Sequence, residues 1–493
     1  MSISGIPNSF GQPGVYVNLT INDSSKSSGQ FNVLILGTAS AGSNYATNPA
    51  LYPITSISQL ATDFGTTSDV YHIASAYLNI DNATPVYTLN CISGNTTQTT
   101  NGNIKTINSV LSTTSQIADM ASSSISGTGG SGTGATFSVT STSNSDKTEF
   151  TPESVSIVNG GTGYKVGDKI TIENVGTLTV LTLDSETSTV PESDLTVLTN
   201  AFVNVGNFES DIILGMYNSA EAIQAISTHL ESTWGYLNET YGQYFTVEIQ
   251  NDVSSLISSG ANFNSVYASA LAIPTDLNAY TSLGNFVAQV SVRTQNNPAL
   301  PLRDFALNSG TVSVANRNNV SVQQTLFNNG YCTVSCDSAG NATVSRTRIG
   351  STVDSATGLT LDDPSLETRF QSVYVAKAFK SALAPYISSP YITMDDADVV
   401  APSPYLVTPS KLRSACIATY DILINELVCT DLATFKKNLS VTIDPDVIGR
   451  VNVVMTAYLA SGLAQITINL ATTKEFRGTI WQRNIYKAFK TYT

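Results

Sequence analysis

The sequence predicts a multidomain protein of mixed structure (α+β and α/β) that carries a small inserted all-β module. Three observations lead to this class. Alternating strand and helix patterns fill residues 31–95 and resume at Ser210. Between them, residues 119–185 contain short alternating strands separated by glycine turns. From Tyr405 onward, an amphipathic helix is followed by further strand patterns.

The first α/β part begins with FNVLILG, which is typical of a short buried strand. SISQLATDFG and SDVYHIASAYLNID follow as two helices, the first of which ends at Gly65. TPVYTLNC completes a β–α–α–β order, which predicts an α/β layer. After Ser210, the strand DIILGMY, the helix SAEAIQAISTHLESTW and the strands YFTVEI and VYASALAIP continue the pattern. A strand pair around the turn Asp337–Gly340 and a helix over 365–385 complete it.

The C-terminal helix is predicted to begin at Thr408, an N-cap residue followed by Pro409 at the first helical position. One face recurs at helical spacing and needs a core: Leu412, Cys416, Tyr420, Leu423 and Leu427. Strands are predicted where apolar and polar residues alternate, at Val441 and Ile443 and again at Ile466, Ile468 and Leu470. The more uniformly apolar run Val451 to Leu459 predicts a strand covered on both faces.

The N-terminal residues 1–30 are predicted to be an arm that has no partner nearby in the sequence. Apolar residues alternate from Val15 to Ile21, and a polar linker, NDSSKSSGQ, follows them. Such a strand must pair with a distant part of its own chain or with another subunit. The predicted residues of inter-subunit strand exchange are Val15, Tyr16, Val17, Leu19 and Ile21.

The composition excludes several classes of protein. The chain has 493 residues, of which only 12% are charged, and a net charge of −14. That charge argues against nucleic-acid binding, which needs clustered Lys and Arg. No run of about 18 apolar residues is free of polar breaks, so no membrane insertion is predicted. The five scattered cysteines are interpreted as reduced thiols.

No catalytic, cofactor-binding or metal site is predicted, and the chain is not expected to be an enzyme. His72 and His229 lie in separate predicted helices, and no Ser-His-Asp or Cys-His set can be assembled around them. The weak remaining signals are Cys332 with Cys336 for zinc, Asp362–Asp363 and Asp395–Asp396 for acid–base or calcium chemistry, and GTGGSGTG for phosphate. A hydrolase that uses the acidic pairs is therefore disfavoured.

Several stretches, in the same order, resemble the tail sheath proteins of contractile phages, specifically the Mu-like branch. They are PGVYVN, VLILGTASAGS, PITSISQLATDFG, PVYTLN, NNPALPLRDFAL, LFNNGYCTVSCDSAGNATVSRTR, TPSKLRSACIATYDILINEL and DPDVIGRVNVVM, ending near KEFR. The resemblance covers nearly the whole chain apart from about residues 96–200. The β insertion and the tail after Arg477 depart from the family pattern.

The resemblance implies a structural subunit that forms rings stacked into a helical sheath around an inner tail tube. Terminal extensions of such subunits exchange strands with neighbours, and contraction drives the tube through the host envelope. Further implied partners are baseplate and tail terminator proteins, with no cofactor, and the implied location is the virion after assembly in the host cytoplasm. The implied division is an N-terminal arm (1–30), an outer α/β domain (31–100 and 201–395), an inserted all-β surface module (101–200), a sheath core built from both chain ends (396–475) and a basic tail (476–493).

The tail from Lys474 onward carries five basic residues and one acidic residue. On a helical wheel, Arg483, Lys487 and Lys490 share one face, and Trp481, Ile485, Ala488 and Phe489 share the opposite one. Three interpretations stay open: a helix docked on its own subunit, a contact with an acidic neighbour or with the tube, and a strand or disordered end. The residues predicted to make contacts are Arg477, Trp481, Arg483, Ile485, Lys487 and Lys490.

Two alternative functions also stay open from the sequence. The same fold would serve a phage-tail-like bacteriocin or another contractile injection system. A surface glycan- or receptor-binding virion protein is a hypothesis of a different class, and it is motivated by the Ser/Thr/Asn-rich insertion.

Overall fold

The computed structural model describes residues 31–206, 208–250, 252–353, 358–361, 363–401 and 403–470, together with residues 15 and 472; for 96–101 and 185–189 only the backbone is described. The first α/β part contains β1 (Val33–Gly37), β2 (Leu51–Pro53), α1 (Ile57–Phe64), α2 (Asp69–Leu78) and β3 (Val86–Asn90). The inserted module contains β4 (Asn95–Leu111), β5 (Ser122–Ser126), β6 (Thr133–Ser143), β7 (Phe150–Thr162), β8 (Lys169–Ile172) and β9 (Gly176–Pro191).

The second α/β part contains α3 (Asp194–Phe202), β10 (Ile212–Gly215), α4 (Ala220–Trp234), β11 (Gln243–Gln250), α5 (Val253–Ser259), β12 (Ala268–Pro274), α6 (Ala279–Asn296), β13 (Phe305–Thr311), α7 (Val320–Asn328), β14 (Tyr331–Cys336) and β15 (Asn341–Arg346). The C-terminal part contains α8 (Leu366–Ser388), β16 (Ile392–Thr393), β17 (Leu406–Val407), α9 (Pro409–Asn425), α10 (Leu432–Asn438), β18 (Ser440–Ile443) and β19 (Val451–Val454).

The two α/β parts join in one nine-stranded sheet with the order β13-β15-β14-β12-β11-β10-β1-β3-β2. The central strands from β14 to β3 are parallel, whereas β2 and the β13–β15 pair are antiparallel to their neighbours. Strand order reverses direction at β1, which lies between β3 and β10, as in doubly wound folds. The module leaves the sheet after β3 and returns before β10.

Helices cover both faces of this sheet and form three layers. Val33 and Ile35 of β1 pack with α1, α2 and α6 in one core cluster. Leu34 and Leu36 point to the opposite face and pack with α3, α4, α5 and α7 in a second cluster. Because successive strand residues alternate between faces, a strand buried on both sides must be apolar throughout, as VLILG is.

Many of these helices begin at a residue whose side chain caps the first turn. In each case a hydroxyl, carboxylate or amide oxygen accepts a backbone N–H three residues further on. The capping residues are Ser56, Ser68, Ser193, Ser219, Asp252, Asn278 and Asn319. Each cap stabilises its helix by about 1 kcal/mol. The positions of these Ser, Asp and Asn residues therefore determine where the helices start.

The inserted module has a hydrophobic core of its own. Strand β4 pairs with β9 along its length, β8 flanks β9, and β5, β6 and β7 form a second sheet. Backbone hydrogen bonds of 2.8 Å in both directions between Thr128 and Thr171 join the two sheets. The module core, which shares no residue with the other clusters, contains Ile104, Ala135, Phe137, Val139, Tyr164, Ile170, Ile172, Val175, Leu178 and Val180.

Helix α8 connects the three-layer body to the C-terminal part. Its first turns place Leu366 and Phe370 in the core cluster of the large sheet. Its later turns place Val375 and Phe379 in a separate cluster with α9 and α10. One continuous helix therefore contributes to two cores, which couples them mechanically.

The predicted class, a mixed α/β fold with an inserted all-β module, is confirmed by this arrangement. The contribution of the N-terminal arm to the C-terminal core lies outside the described residues, and the predicted domain boundaries stay predictions. One predicted core position is wrong: Leu427 is exposed, because α9 ends at Asn425 and Leu427 adopts a positive φ of 62°. Every helix in the described part of the chain falls short of the length or apolar character that crossing a lipid bilayer requires.

Candidate assembly interface

The C-terminal core is organised around Tyr420 on α9. Its ring stacks on Phe435 of α10 at 3.7 Å between centroids. Its hydroxyl donates to the carbonyl oxygen of Thr430 at 2.7 Å and accepts the backbone N–H of Tyr458 at 2.9 Å. Helix α9 starts as predicted, because Thr408 accepts the backbone N–H of Lys411 and Pro409 follows the cap. These contacts hold the chain to the core as far as Tyr458.

Strands β18 and β19 form an antiparallel two-stranded sheet on this core, with Val441 opposite Val453 and Ile443 opposite Val451. In the described part of the chain, no third strand pairs with either edge. The connection between the strands is well ordered by Asp444, whose carboxylate accepts the backbone N–H of Asp446 at 2.9 Å and the amide of Asn452 at 2.9 Å. These bonds hold the pKa of Asp444 below its ordinary value, with the Asp446 N–H as the main cause. A two-stranded sheet is marginal alone, so open edges here favour added strands.

Residues 461–470 follow this core as a fully exposed segment without assigned secondary structure. Its apolar side chains alternate with polar ones and face solvent: Ile466 is 71% exposed, Ile468 78% and Leu470 77%. One side-chain contact holds it, from the Arg303 guanidinium to the carbonyl oxygen of Ala464 at 3.1 Å. The segment therefore presents a strand pattern that pairs with no strand in the described part of the chain.

Two strand predictions for this region are wrong for the single subunit. The predicted strand at Ile466, Ile468 and Leu470 is absent, because no described strand lies beside it. The predicted strand Val451 to Leu459, covered on both faces, is confined to β19. Beyond Val454 the backbone turns toward the core, where Ala460 N–H donates to the carbonyl oxygen of Val428 at 3.0 Å.

The edges of the nine-stranded sheet are, by contrast, unsuited to pairing. Edge strand β2 has three residues and ends at Pro53, which cannot donate a ladder hydrogen bond. The opposite edge strand, β13, has an irregular register between Ala306 and Thr311. Short, proline-containing and bulged edges protect sheets from adding strands. The open edges of β18–β19 are therefore better placed for pairing with another chain.

The predicted terminal contact residues are largely outside the described part of the chain. Val15 is described, and it is half-buried with no assigned secondary structure. The other predicted residues lie outside it and stay predictions: Tyr16, Val17, Leu19, Ile21, Arg477, Trp481, Arg483, Ile485, Lys487 and Lys490.

The two histidines have packing roles in separate helices. The ring of His229 on α4 stacks on Phe202 of α3 at 4.1 Å with an interplanar angle of 2°. Burial lowers the pKa of His229 to about 4. The ring of His72 on α2 lies 5.5 Å from that of Tyr280 on α6. Within the described residues neither imidazole ring makes a hydrogen bond, whereas a catalytic triad needs one to a nucleophile and one to a carboxylate.

In the cysteine and acidic pairs, the described contacts of Cys332, Asp363 and Asp395 are structural. Cys332 is buried, and burial raises the pKa of its thiol to about 12, which disfavours a metal-binding thiolate. Asp363 accepts the backbone N–H of Ser365 at 2.9 Å at the start of α8; its neighbour Asp362 lies outside the described residues. Asp395 accepts the backbone N–H of Ala397 at 3.0 Å. Within the described residues, no group of three or more His, Cys, Asp or Glu side chains is arranged to hold a metal ion.

The glycine-rich run GTGGSGTG packs around an aromatic ring. Tyr164 is 3% exposed. A Cβ added at Gly130, Gly132 or Gly161 would press against its ring. The carboxylate of Asp168 accepts the backbone N–H groups of Ser131 and Lys165, each at 2.9 Å, and closes the two loops. The glycines are therefore explained by close packing.

The place where a doubly wound fold usually binds a phosphate is filled from within the chain. At the N-terminus of α2, the carboxylate of Asp69 accepts the backbone N–H of Thr38 at 3.0 Å and that of Val70 at 2.9 Å. Burial raises the pKa of Asp69, although these two bonds act in the opposite direction. Because an internal carboxylate occupies the anion position, the switch point between β1 and β10 has a structural role. The sequence reasoning did not identify this residue.

No family profile matches the sequence, and no curated protein matches it. Solved structures do match. The sheath tail protein from Desulfitobacterium hafniense is similar with a TM-score of 0.41 and 14% identity over 90% of this chain and 100% of that chain. The sheath tail protein from Listeria innocua has a TM-score of 0.42 and 10% identity over 88% and 96%. The contracted helical sheath of the anti-feeding prophage has a TM-score of 0.47 and 10% identity over 96% and 100%.

Proposed function

We propose that this chain is the structural subunit of a contractile tail sheath. It polymerises helically around an inner tail tube and contracts to drive the tube through the host envelope for genome ejection. One observation carries the proposal: within the described residues, 461–470 are an exposed strand pattern beside no other strand, and the β18–β19 sheet has open edges. Each subunit thus has a donor segment, residues 461–470, that can add a strand, and an acceptor sheet, β18–β19, that can receive one. The ordered sequence stretches that resemble sheath proteins support the same function.

The pairing works through backbone hydrogen bonds and an apolar face. Ile466, Ile468 and Leu470 share one face of an extended strand, because side chains at i, i+2 and i+4 lie on the same side. Each backbone hydrogen bond contributes about 0.5–1.5 kcal/mol net, so one junction is modest. Each of the three apolar side chains, if fully buried in the junction, stabilises it by roughly a further 1.5–3 kcal/mol. The junction repeats at every subunit, and the assembly is therefore stable.

The geometry of such a junction favours a filament. The donor segment and the acceptor sheet are different surfaces, so each contact is head-to-tail. A head-to-tail contact that does not close a ring generates a helix of subunits. The predicted N-terminal strand at residues 15–21 supplies a second donor, and its polar linker lets subunits reorient while the paired strands stay joined.

The remaining roles follow from this one. The partners are further copies of the chain, the inner tube protein, and baseplate and tail terminator proteins. The chain performs no chemistry of its own; its histidines pack against aromatic rings, and Asp363 and Asp395 accept backbone N–H groups of nearby turns. The subunit assembles in the host cytoplasm and resides in the tail of the virion. A sheath of a contractile injection device would use the same contacts.

The two faces of the donor segment provide the test. We expect the double variant Ile466→Ser/Ile468→Ser to remain a folded subunit and to lose polymerisation, because the altered side chains are exposed in the single chain. The matched control, Thr467→Ser/Asn469→Ser, alters the other face of the same segment and should still polymerise. Circular dichroism checks folding, and negative-stain microscopy with sedimentation checks polymerisation. Normal tubes from the Ile466→Ser/Ile468→Ser variant would refute the pairing role of this segment.

Deletion of residues 1–22 tests the second donor. The truncated chain should fold and stay soluble without forming tubes, since one of its two strand contacts is removed. If this chain forms normal tubes while the Ile466→Ser/Ile468→Ser variant does not, only the C-terminal junction is needed for assembly.

A further inference from the structure

A cavity of about 210 Å³ lies at one edge of the nine-stranded sheet, between edge strand β2 and helix α1. Its walls are mostly aromatic or apolar, with a few polar groups among them. They include the rings of Tyr45, Tyr52 and Phe64, the side chain of Leu60 and the carboxylate of Asp63. Concave sites of this composition usually bind ligands, and drug-sized ligands need about 300 Å³ or more. A cavity of this size therefore fits a single side chain or a small organic ion.

Three aromatic rings form a rigid wall of the cavity. The rings of Tyr45 and Tyr52 stack at 3.9 Å between centroids, and the buried ring of Phe64 meets them edge-on at 5.6 and 5.7 Å. The loop that carries Tyr45 is fixed by the buried Asn90 on β3. The Asn90 amide donates to the carbonyl oxygens of Tyr45 at 2.6 Å and Asn48 at 3.0 Å. Because the wall is formed in advance, a ligand pays little ordering entropy when it binds.

Asp63 brings a negative charge to this wall. Its side chain is nearly buried, and its Oδ1 accepts the amide of Asn44 at 3.0 Å and its Oδ2 that of Gln59 at 2.5 Å. An ionised carboxylate can accept about four hydrogen bonds, so each oxygen has room for another donor. Among the described residues that line the cavity, Asp63 is the only charged one. A ligand that carries a positive charge would therefore compensate it.

The Tyr52 hydroxyl is a second polar group that a ligand can satisfy. Its oxygen is buried, and in the described part of the chain it has no hydrogen-bond partner. Buried tyrosine hydroxyls usually have one. Burial, and after it the charges of Tyr45 and Asp63, raises the pKa of Tyr52. The hydroxyl is therefore neutral, and Asp63 lies within electrostatic range of it.

A guanidinium group matches these features better than an ammonium group does. It is planar, stacks on aromatic rings and presents its N–H donors in a fixed fork that fits the two oxygens of a carboxylate. An ammonium is instead a compact and strongly hydrated charge. We propose that this cavity binds a guanidinium group, as arginine carries it, whose N–H groups donate to the Asp63 carboxylate and the Tyr52 hydroxyl. The group lies against the aromatic wall.

Binding to the full-length chain tests the site. The probes are N-acetyl-L-arginine amide and N-acetyl-L-citrulline amide, which has nearly the same shape and lacks the charge. Saturation-transfer NMR titrations should give an affinity at least about ten-fold higher for the arginine probe, because its hydrogen bonds to the carboxylate are charge-assisted. N-acetyl-L-lysine amide should also bind more weakly than the arginine probe. Equal affinities for the arginine and citrulline probes, or no binding of either, would overturn the proposal.

Two variants test the assigned contacts. Tyr52→Phe keeps the ring stack and removes the hydroxyl, so the melting temperature should be unchanged while affinity for the arginine probe falls roughly three- to ten-fold. Asp63→Asn removes the charge and should lower the affinity at least about ten-fold. Circular dichroism checks that both variants fold. The matched control is Tyr405→Phe, an exposed tyrosine outside the cavity, which should bind like wild type. Wild-type affinity in a folded Tyr52→Phe or Asp63→Asn chain would overturn the assigned contacts.

Free L-arginine distinguishes two sources of the group. An arginine within a protein has neutral amide neighbours, as the capped probe has, whereas the free amino acid carries its own ammonium and carboxylate. Tighter binding of the capped probe assigns the cavity to an arginine side chain of another protein. Tighter binding of free L-arginine assigns it to a small molecule. Both results support the guanidinium site, and neither depends on whether the chain forms a sheath.

Discussion

The guanidinium of Arg303 lies 3.1 Å from the carbonyl oxygen of Ala464 and donates a hydrogen bond to it. Arg303 belongs to the connection that precedes β13, whereas Ala464 belongs to the exposed C-terminal segment. A Cβ added at nearby Gly462 would lie 2.9 Å from Cγ of Pro301, so the segment passes close to this connection. The bond therefore joins the three-layer body to the segment that we propose to leave it during assembly.

Removal of this bond should favour assembly. Arg303→Ala is expected to lower the critical concentration for polymerisation by up to about five-fold, because a bond of roughly 1 kcal/mol no longer opposes release of residues 461–470. Sedimentation of polymer at graded protein concentrations measures this change. As a control, Arg317→Ala removes an arginine that donates to the carbonyl oxygen of Val312 at 3.1 Å, remote in sequence from the segment, and should not lower it. An unchanged or higher critical concentration for Arg303→Ala would show that the bond is not a restraint.

Asp81 links the end of α2 to α6 through a buried carboxylate. It accepts hydrogen bonds from the hydroxyl of Tyr77 at 2.9 Å and from that of Ser291 at 3.2 Å, and two more from Thr84. Burial raises the pKa of Asp81, but the bonds from Thr84 and Tyr77 outweigh it, and the net pKa lies below the ordinary value. Asp81→Asn should lower the free energy of unfolding at pH 7 by about 2–3 kcal/mol. The NH₂ group of the asparagine would face the hydroxyl and N–H groups that now donate to the carboxylate, and it cannot accept their hydrogen bonds.

The pH dependence of this effect has a definite sign. Since the pKa is depressed in the folded state, the stabilisation by Asp81 is complete above the unfolded pKa of about 3.9 and is lost as pH falls through the folded pKa. The difference between wild type and Asp81→Asn should therefore shrink in acid. Urea unfolding followed by circular dichroism at pH 7 and pH 3 measures it, with exposed Asp146→Asn as the control. A difference of equal size at both pH values would contradict the assigned role.

The stacking of His229 on Phe202 predicts acid sensitivity of the α3–α4 contact. Burial lowers the pKa of His229 to about 4, so unfolding takes up a proton between that value and the unfolded pKa of about 6.5. Stability should consequently fall as pH decreases through this window, by up to roughly 3 kcal/mol from this residue. His229→Phe keeps the aromatic stack and should remove that part of the pH dependence. The slope of unfolding free energy between pH 7 and pH 4 measures the effect.

The control is His72→Phe, whose side chain is exposed and whose replacement should retain the slope. If both variants keep the wild-type slope, the acid sensitivity arises from other groups.

Sequence reasoning predicted the elements whose patterns are locally complete. Helix α9 is the clearest case, because Thr408, Pro409 and the buried face from Leu412 to Leu423 each point to the same helix. Helix α6 was missed for the opposite reason. It is buried nearly all round and includes buried polar residues such as Asn285, whose amide donates to the carbonyl oxygen of Leu307 at 2.6 Å. A helix of this kind has no amphipathic period to detect.

The exposed segment 461–470 was predicted from the sequence as a strand of the C-terminal part and not as an interface. The alternation at Ile466, Ile468 and Leu470 is a strand pattern, yet a strand needs a paired neighbour that the described part of the single chain does not place beside it. The run after Val454 was predicted as strand because its tertiary partners were invisible in the sequence. Tyr458 N–H is bonded to Tyr420, which is 38 residues away, and this bond takes the backbone out of the sheet.

The packing of glycine around Tyr164 gives a prediction confined to the inserted module. Gly132→Ala would place a Cβ against the Tyr164 ring and the carbonyl oxygen of Thr162. We expect it to destabilise the module by about 1–3 kcal/mol through overpacking, while the α/β body keeps its stability because the two share no core cluster. Hydrogen exchange measured by mass spectrometry should show faster exchange in peptides from residues 122–172 and unchanged exchange in β10–β12. Gly235→Ala is the matched control, since nothing lies within 4 Å of an added Cβ there. Equal acceleration in the module and in the α/β body would mean that the two unfold together, contrary to their separate cores.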